Sequence, residues 1–138
     1  MQPGPRRRGE REAPGTGDDP RQATLTIRID FGVFGSLGPG KIALLELISQ
    51  HGSISAAGKA MGMSYRRAWM LVDAINQIFR EPLVDKQTGG SGGGGARLTD
   101  LGREVVSRYR AIEAASATAV ATELSALEAA LPSPAGDK

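Results

Sequence analysis

Apolar and polar residues alternate along Thr24-Leu25-Thr26-Ile27-Arg28-Ile29-Asp30, which puts Leu25, Ile27 and Ile29 on one face and predicts a strand. A glycine-punctuated turn from Phe31 to Leu37 follows. The period then lengthens. Ile42, Leu45 and Ile48 recur at helical spacing between Lys41 and Gln50, with Pro39 at a helix start that tolerates it and Gly52 as the stop. Ser53 is placed to cap a short second helix from Ile54 to about Met61, and Gly62 to turn the chain sharply. Ser64 caps a third helix reaching Phe79 or Arg80, with Ala68, Leu71, Val72, Ile75, Ile78 and Phe79 as its buried stripe. Two extended runs, Leu83 to Gln87 and Ala96 to Leu98, flank six glycines in the seven positions 89–95, the pattern of a hairpin. Thr99 caps a last helix extending to Leu131, which at 1.5 Å per residue spans roughly 50 Å.

That order predicts a mainly α fold with a small β wing, a winged helix-turn-helix followed by a long C-terminal helix. The chain divides accordingly into an N-terminal arm (1–23), a winged helix-turn-helix domain (24–98), a long dimerisation helix (99–131) and a tail (132–138). Two helices that cross steeply need a residue without a side chain at the crossing, and Gly58, four positions before Gly62, is placed for it. Ile54, Met61, Ala68 and Leu71 would share the small core between them. A generic helical hairpin would use similar residues; the hairpin that follows favours the DNA-binding reading. If Ala68, Val72 and Ile75 face inward, the third helix presents Arg66, Met70, Asp73 and Gln77 outward, with Arg67 near the edge. Its polar and cationic residues, Ser64, Tyr65, Arg66 and Arg67, gather at the N-terminal turn, which is where a recognition helix meets base edges and phosphates. Trp69 falls at the boundary and is assigned to packing between helices rather than to DNA.

Charge sharpens this picture more than its total does. The 138 residues carry 17 basic and 15 acidic side chains, a formal net charge of +2. Between Ser53 and Arg110, however, nine basic residues face five acidic ones, whereas from Ala111 to the tail the charges are Glu113, Glu123 and Glu128. The arm contains four prolines, four glycines and mixed charge, a composition that favours disorder; Arg6, Arg7 and Arg8 serve either solubility or weak affinity for a polyanion. With no cysteine and a single histidine, His51, assigned to a helix end, there is no thiolate metal site, and no acid–base constellation suggests an enzyme. No apolar run approaches the roughly 18 to 20 residues that span a bilayer, so no membrane partner and a cytoplasmic, nucleoid-associated location are expected. The glycine run lacks the Gly-Lys-Ser/Thr of a phosphate loop. It reads as a flexible linker or as a wing tip whose backbone approaches DNA between Lys86 and Arg97.

Ser53-Ile54-Ser55, Ser64-Tyr65-Arg66 with Ala68-Trp69, and Thr88-Gly89-Gly90-x-Gly92-Gly93-Gly94-Gly95-Ala96-x-Leu98-Thr99 resemble the N-terminal DNA-binding domain of ModE-type molybdate-responsive transcriptional regulators. The pattern is similar, more loosely, to the winged helix of LysR-type regulators. The resemblance covers roughly Thr24 to Ala130. It implies a winged-helix homodimer, joined by the last helix, that binds a palindromic operator in double-stranded DNA and controls molybdenum-related genes. Together, wheel and resemblance nominate Ser53, Ser55, Ser64, Tyr65, Arg66, Arg67, Met70, Lys86, Gly90, Gly92, Gly93 and Arg97 for DNA. Along the last helix Val105, Tyr109, Ile112, Val120, Leu124, Leu127 and Leu131 recur at three- and four-residue spacing; the stripe serves dimerisation or folds back over its own domain. The family's C-terminal molybdate-binding modules are strand-rich, and no such segment precedes the final Pro-Ser-Pro-Ala-Gly-Asp-Lys. No cofactor, molybdate included, is therefore expected to be bound by this chain. The alternative function is a winged-helix module for protein contacts, with Arg66 and Arg67 merely solvated.

Overall fold

The computed structural model describes residues 22–87 and 95–133. Most of the arm, the tip glycines Gly90, Gly92 and Gly93, and positions 134–138 of the tail lie outside the described residues. The described residues fall into two compact units, one within 26–118 and the other formed by 22–25 with 119–133.

In the larger unit, the alternation expected over 24–30 survives in burial, but only Ile29–Asp30 pair as β1, with β2 (Ser36–Leu37) antiparallel to it. A partner strand of two residues offers hydrogen bonds to two residues, so the rest of the run is extended without a ladder. Helix α1 spans Pro39–His51, with Pro39 in its first turn and Gly52 ending it in the left-handed region at φ 70°. Ser53 caps α2 (Ile54–Ala60) by accepting from Ala56 N–H at 3.1 Å, and Ser64 caps α3 (Tyr65–Asn76) by accepting from Arg67 N–H at 3.1 Å. Gly62 turns the chain between them at φ 73°.

Helix α3 is shorter than the apolar period suggests, ending at Asn76 instead of Phe79 or Arg80. The backbone leaves the helix at Gln77 and turns back so that the Leu83 and Val84 N–H groups reach the Asn76 amide, and Pro82 disfavours helix at Glu81 beyond. Ile78 is nonetheless buried, and Phe79 stacks edge-on against Phe31 at 5.4 Å. β3 (Val84–Gln87) and β4 (Gly95–Leu98) pair antiparallel in the register Val84↔Leu98 through Gln87↔Gly95. The core gathers Ile42, Leu44, Leu45 and Ile48 of α1, Ala68, Val72 and Ile75 of α3, and Leu83, Val84, Ala96 and Leu98 of the hairpin.

The single last helix expected to reach Leu131 is two helices: α4 (Asp100–Ala119) and, in the smaller unit, α5 (Ala121–Ala129). The interruption is at Val120, at φ −107° and ψ 12°. Thr118, Val120 and Thr122 are β-branched and weak helix formers, so the continuous apolar spacing is not matched by continuous propensity. Thr99 does cap α4, accepting from Gly102 N–H at 3.0 Å. In the smaller unit Ala23 N–H donates to Glu128 Oε2 at 2.5 Å. No helix of the described residues is long and apolar enough to cross a membrane.

Candidate nucleic-acid interface

The close approach that a helix-turn-helix requires is present at Gly58. A β-carbon there would lie 2.6 Å from Ala68 Cβ and 3.4 Å from Met63 Cγ. With Ile54, Ala57 and Ala68 buried and Met61, Met63 and Leu71 half-buried, α3 is held against α2 with its N-terminal turn outward.

That turn carries Tyr65, Arg66 and Arg67 exposed, with the Ser64 hydroxyl occupied as the cap. One turn on, Met70 is 60% exposed, and Asp73 and Gln77 continue the same face. Neither arginine makes an ion pair with a described residue, whereas most other cations of the domain do. Arg97 is 3.8 Å from Asp85, its cross-strand partner; Arg103 pairs with Asp100, and Arg108 with Glu104 at 2.9 Å. Arg110 grips Glu46 with two bonds of 2.6 and 3.0 Å and Glu113 with one of 2.6 Å, and hydrogen bonding to these carboxylates pushes its pKa up. Of the nine basic residues of 53–110, Lys59, Arg66, Arg67 and Arg80 make no ion pair with a described residue, and Arg66 and Arg67 stand together at the head of α3.

Lys86, nominated for DNA, is engaged with the protein. Its ammonium is 2.6 Å from Asp73 Oδ1 and 5.1 Å from the centre of the Trp69 ring. Trp69 is half-buried against the core, its ring centre 5.9 Å from that of Tyr65, and its buried indole N–H has no partner among the described residues. Ser53 spends its hydroxyl on capping α2, while Ser55 beside it is exposed. Two contributors escaped the reading of the sequence. The Asn76 amide accepts from Leu83 and Val84 N–H at 2.9 Å each and donates to Val84 C=O at 3.1 Å, clamping the hairpin to α3. Gly102 lets α4 pack on the Leu83 carbonyl, which a β-carbon would strike. A glycine inside a helical period was the available signal for the second.

The dimerisation stripe is divided. Tyr109 is buried in its own domain, its hydroxyl donating to Ile27 C=O at 2.5 Å, so its side chain is a core residue and not an interface one. Burial also pushes its phenol pKa up. Val105 packs partly against the same core. Val120 and Leu124 are half-buried, while Ile112 is 42% exposed and Leu127 64%.

Residues 40–103 match the profile of the bacterial regulatory helix-turn-helix proteins of the lysR family. The molybdenum transport protein ModE of Azotobacter vinelandii is 43% identical over 91 residues, 66% of this chain and 33% of that protein. The molybdenum-pterin-binding protein MopB of Rhodobacter capsulatus is 41% identical over 117 residues, 85% of this chain and 41% of its own length. The DNA-binding transcriptional dual regulator ModE of Escherichia coli K12 is 40% identical over 85 residues, 62% of this chain and 32% of that protein. The chain thus spans between a third and two-fifths of the length of these relatives. Residues 40–103 thus match the bacterial regulatory helix-turn-helix proteins of the lysR family and carry the crossing geometry of a helix-turn-helix, in a chain similar to the ModE and Mop proteins.

Proposed function

We propose that the chain is a sequence-specific regulator of transcription that binds double-stranded DNA as a homodimer, on a palindromic operator, in the cytoplasm. The observation that carries this is the exposed N-terminal turn of α3, with Tyr65, Arg66 and Arg67 outward and Gly58 holding the helix at the crossing. Arg66 and Arg67 offer forked donors to guanine edges or phosphate oxygens, and Tyr65 a hydroxyl to phosphate. The relatives' names, a molybdenum transport protein and a molybdenum-pterin-binding protein among them, supply the link to molybdenum-related genes. No cofactor is assigned to the residues of this chain.

Recovery of bound genomic DNA, with and without molybdate, tests the reading and yields the operator. Arg66→Ala with Arg67→Ala should then abolish the gel shift of that operator at physiological salt while leaving the melting temperature unchanged. Undiminished affinity would remove α3 from the interface. Affinity for duplex DNA that does not weaken as salt rises would favour a protein-contact module instead.

A further inference from the structure

Trp69, Asp73 and Asn76 stand at intervals of four and three along α3, so they share one side of the helix, and each meets the β3 strand. Asn76 fixes the start of β3 through three hydrogen bonds to Leu83 and Val84. Two residues further along the strand, Lys86 reaches back to Asp73 at 2.6 Å and lies over the Trp69 ring at 5.1 Å. The side chains of this pair are 32% and 53% exposed, a setting in which an isolated ion pair contributes little to stability. What it can fix is direction. Asn76 holds the start of β3 to α3, while core burial of Val84, Ala96 and Leu98 and the 2.9 Å bond from Ala96 N–H to Gly52 C=O hold the hairpin from its other side; Lys86 adds a second attachment to α3 further along the strand.

Asp73 also occupies the outward face of α3 with Met70, where a carboxylate repels phosphate unless a cation neutralises it. Lys86 does so from within the molecule. We propose that Lys86 and Asp73 are positioning residues that lock the β3–β4 hairpin against the recognition helix, with the lysine held by the protein instead of a phosphate. The inference rests on the DNA-binding reading above and concerns the geometry of that same site.

Asp73→Asn separates the two roles by sign. Losing a negative charge strengthens binding to any duplex, and a released Lys86 would add a phosphate contact. A positioning role instead predicts several-fold weaker binding to the operator recovered above and equal or tighter binding to a scrambled duplex of the same length. Lys86→Met is expected to lower the same operator-to-scrambled ratio while leaving the slope of log K against log salt unchanged. The exchanged pair, Asp73→Lys with Lys86→Asp, is expected to restore the ratio. The proposal is overturned if Asp73→Asn tightens operator binding, or if Lys86→Met flattens the slope by about 0.9, the loss of one phosphate contact. Should the exchanged pair melt early, the isosteric Asp73→Asn decides alone. A parent protein that binds neither duplex would instead sink the DNA-binding reading.

Discussion

A side chain at Gly58 has no room, because a β-carbon there lies 2.6 Å from Ala68 Cβ, itself fully buried between α2 and α3. Gly58→Ala must push the two helices apart, at a cost of about 1 to 3 kcal/mol, and its melting temperature should fall by roughly 4 °C or more. Gly102→Ala meets backbone in place of a side-chain tip, since the obstructing Leu83 carbonyl also accepts from Thr99 N–H at 2.9 Å. It should destabilise at least as much. Tyr109 tests a different force. Its hydroxyl bond to Ile27 is worth about 1 kcal/mol, so Tyr109→Phe should lower stability at neutral pH by that amount. Burial raises the phenol pKa above its ordinary value of 10.0, with the Glu113 charge acting in the same direction and Arg110 against it. Above pH 10 the unfolded chain therefore sheds this proton before the folded one does, and stability falls as pH climbs. Urea unfolding at pH 8 and pH 11 should show a steeper loss for the parent than for Tyr109→Phe; parallel losses would remove Tyr109 as the cause.

Each helix of the helix-turn-helix announces itself locally, because Ser53 and Ser64 cap and Gly52 and Gly62 turn within a few residues of the apolar period. Nothing local announces the clamp between α3 and the hairpin. Asn76 carries no mark of its role until β3 folds back over seven or eight positions to meet it. The same limit hid the ends of α3 and of the last helix: spacing shows which positions are apolar, while the boundary depends on what the backbone finds next. Tyr109 was legible as apolar but not as intramolecular, because its partner, Ile27, is 82 positions away. At the site, the outward Arg66 follows from the wheel, and the gathering of Tyr65 and Arg67 at the N-terminal turn from the sequence, whereas the engagement of Lys86 needs the fold. Asn76→Ala leaves the Leu83 and Val84 amides of two buried residues without acceptors. The expected cost is about 2 to 3 kcal/mol, read as a lower urea midpoint. Hydrogen exchange should quicken at Leu83 and Val84 before it does so in α1.

At the scale of the whole molecule, a net charge of +2 is too small to attract DNA by itself, and among the described residues six of the nine cations outside the head of α3 are matched by carboxylates. One copy of α3 offers a handful of contacts, which is the regime in which pairing two copies matters most. A palindrome demands two recognition helices about 34 to 36 Å apart, one turn of the duplex, and joining them makes the second contact intramolecular. The exposed apolar residues of the stripe are Ile112 on α4, Leu127 on α5 and Leu131 after it, and not Tyr109, which the core consumes. Ile112→Lys and Leu127→Lys place a charge where an interface must be dry, while costing little in a monomer that already exposes both positions. Sedimentation should then shift from dimer to monomer with no change in melting temperature at low concentration. Affinity for the palindrome should drop by about a hundredfold or more, the avidity that linked sites supply, while a half-site duplex binds as before. A parent protein that sediments as a monomer at the concentrations where it occupies the palindrome would show that these leucine and isoleucine faces serve something other than self-association.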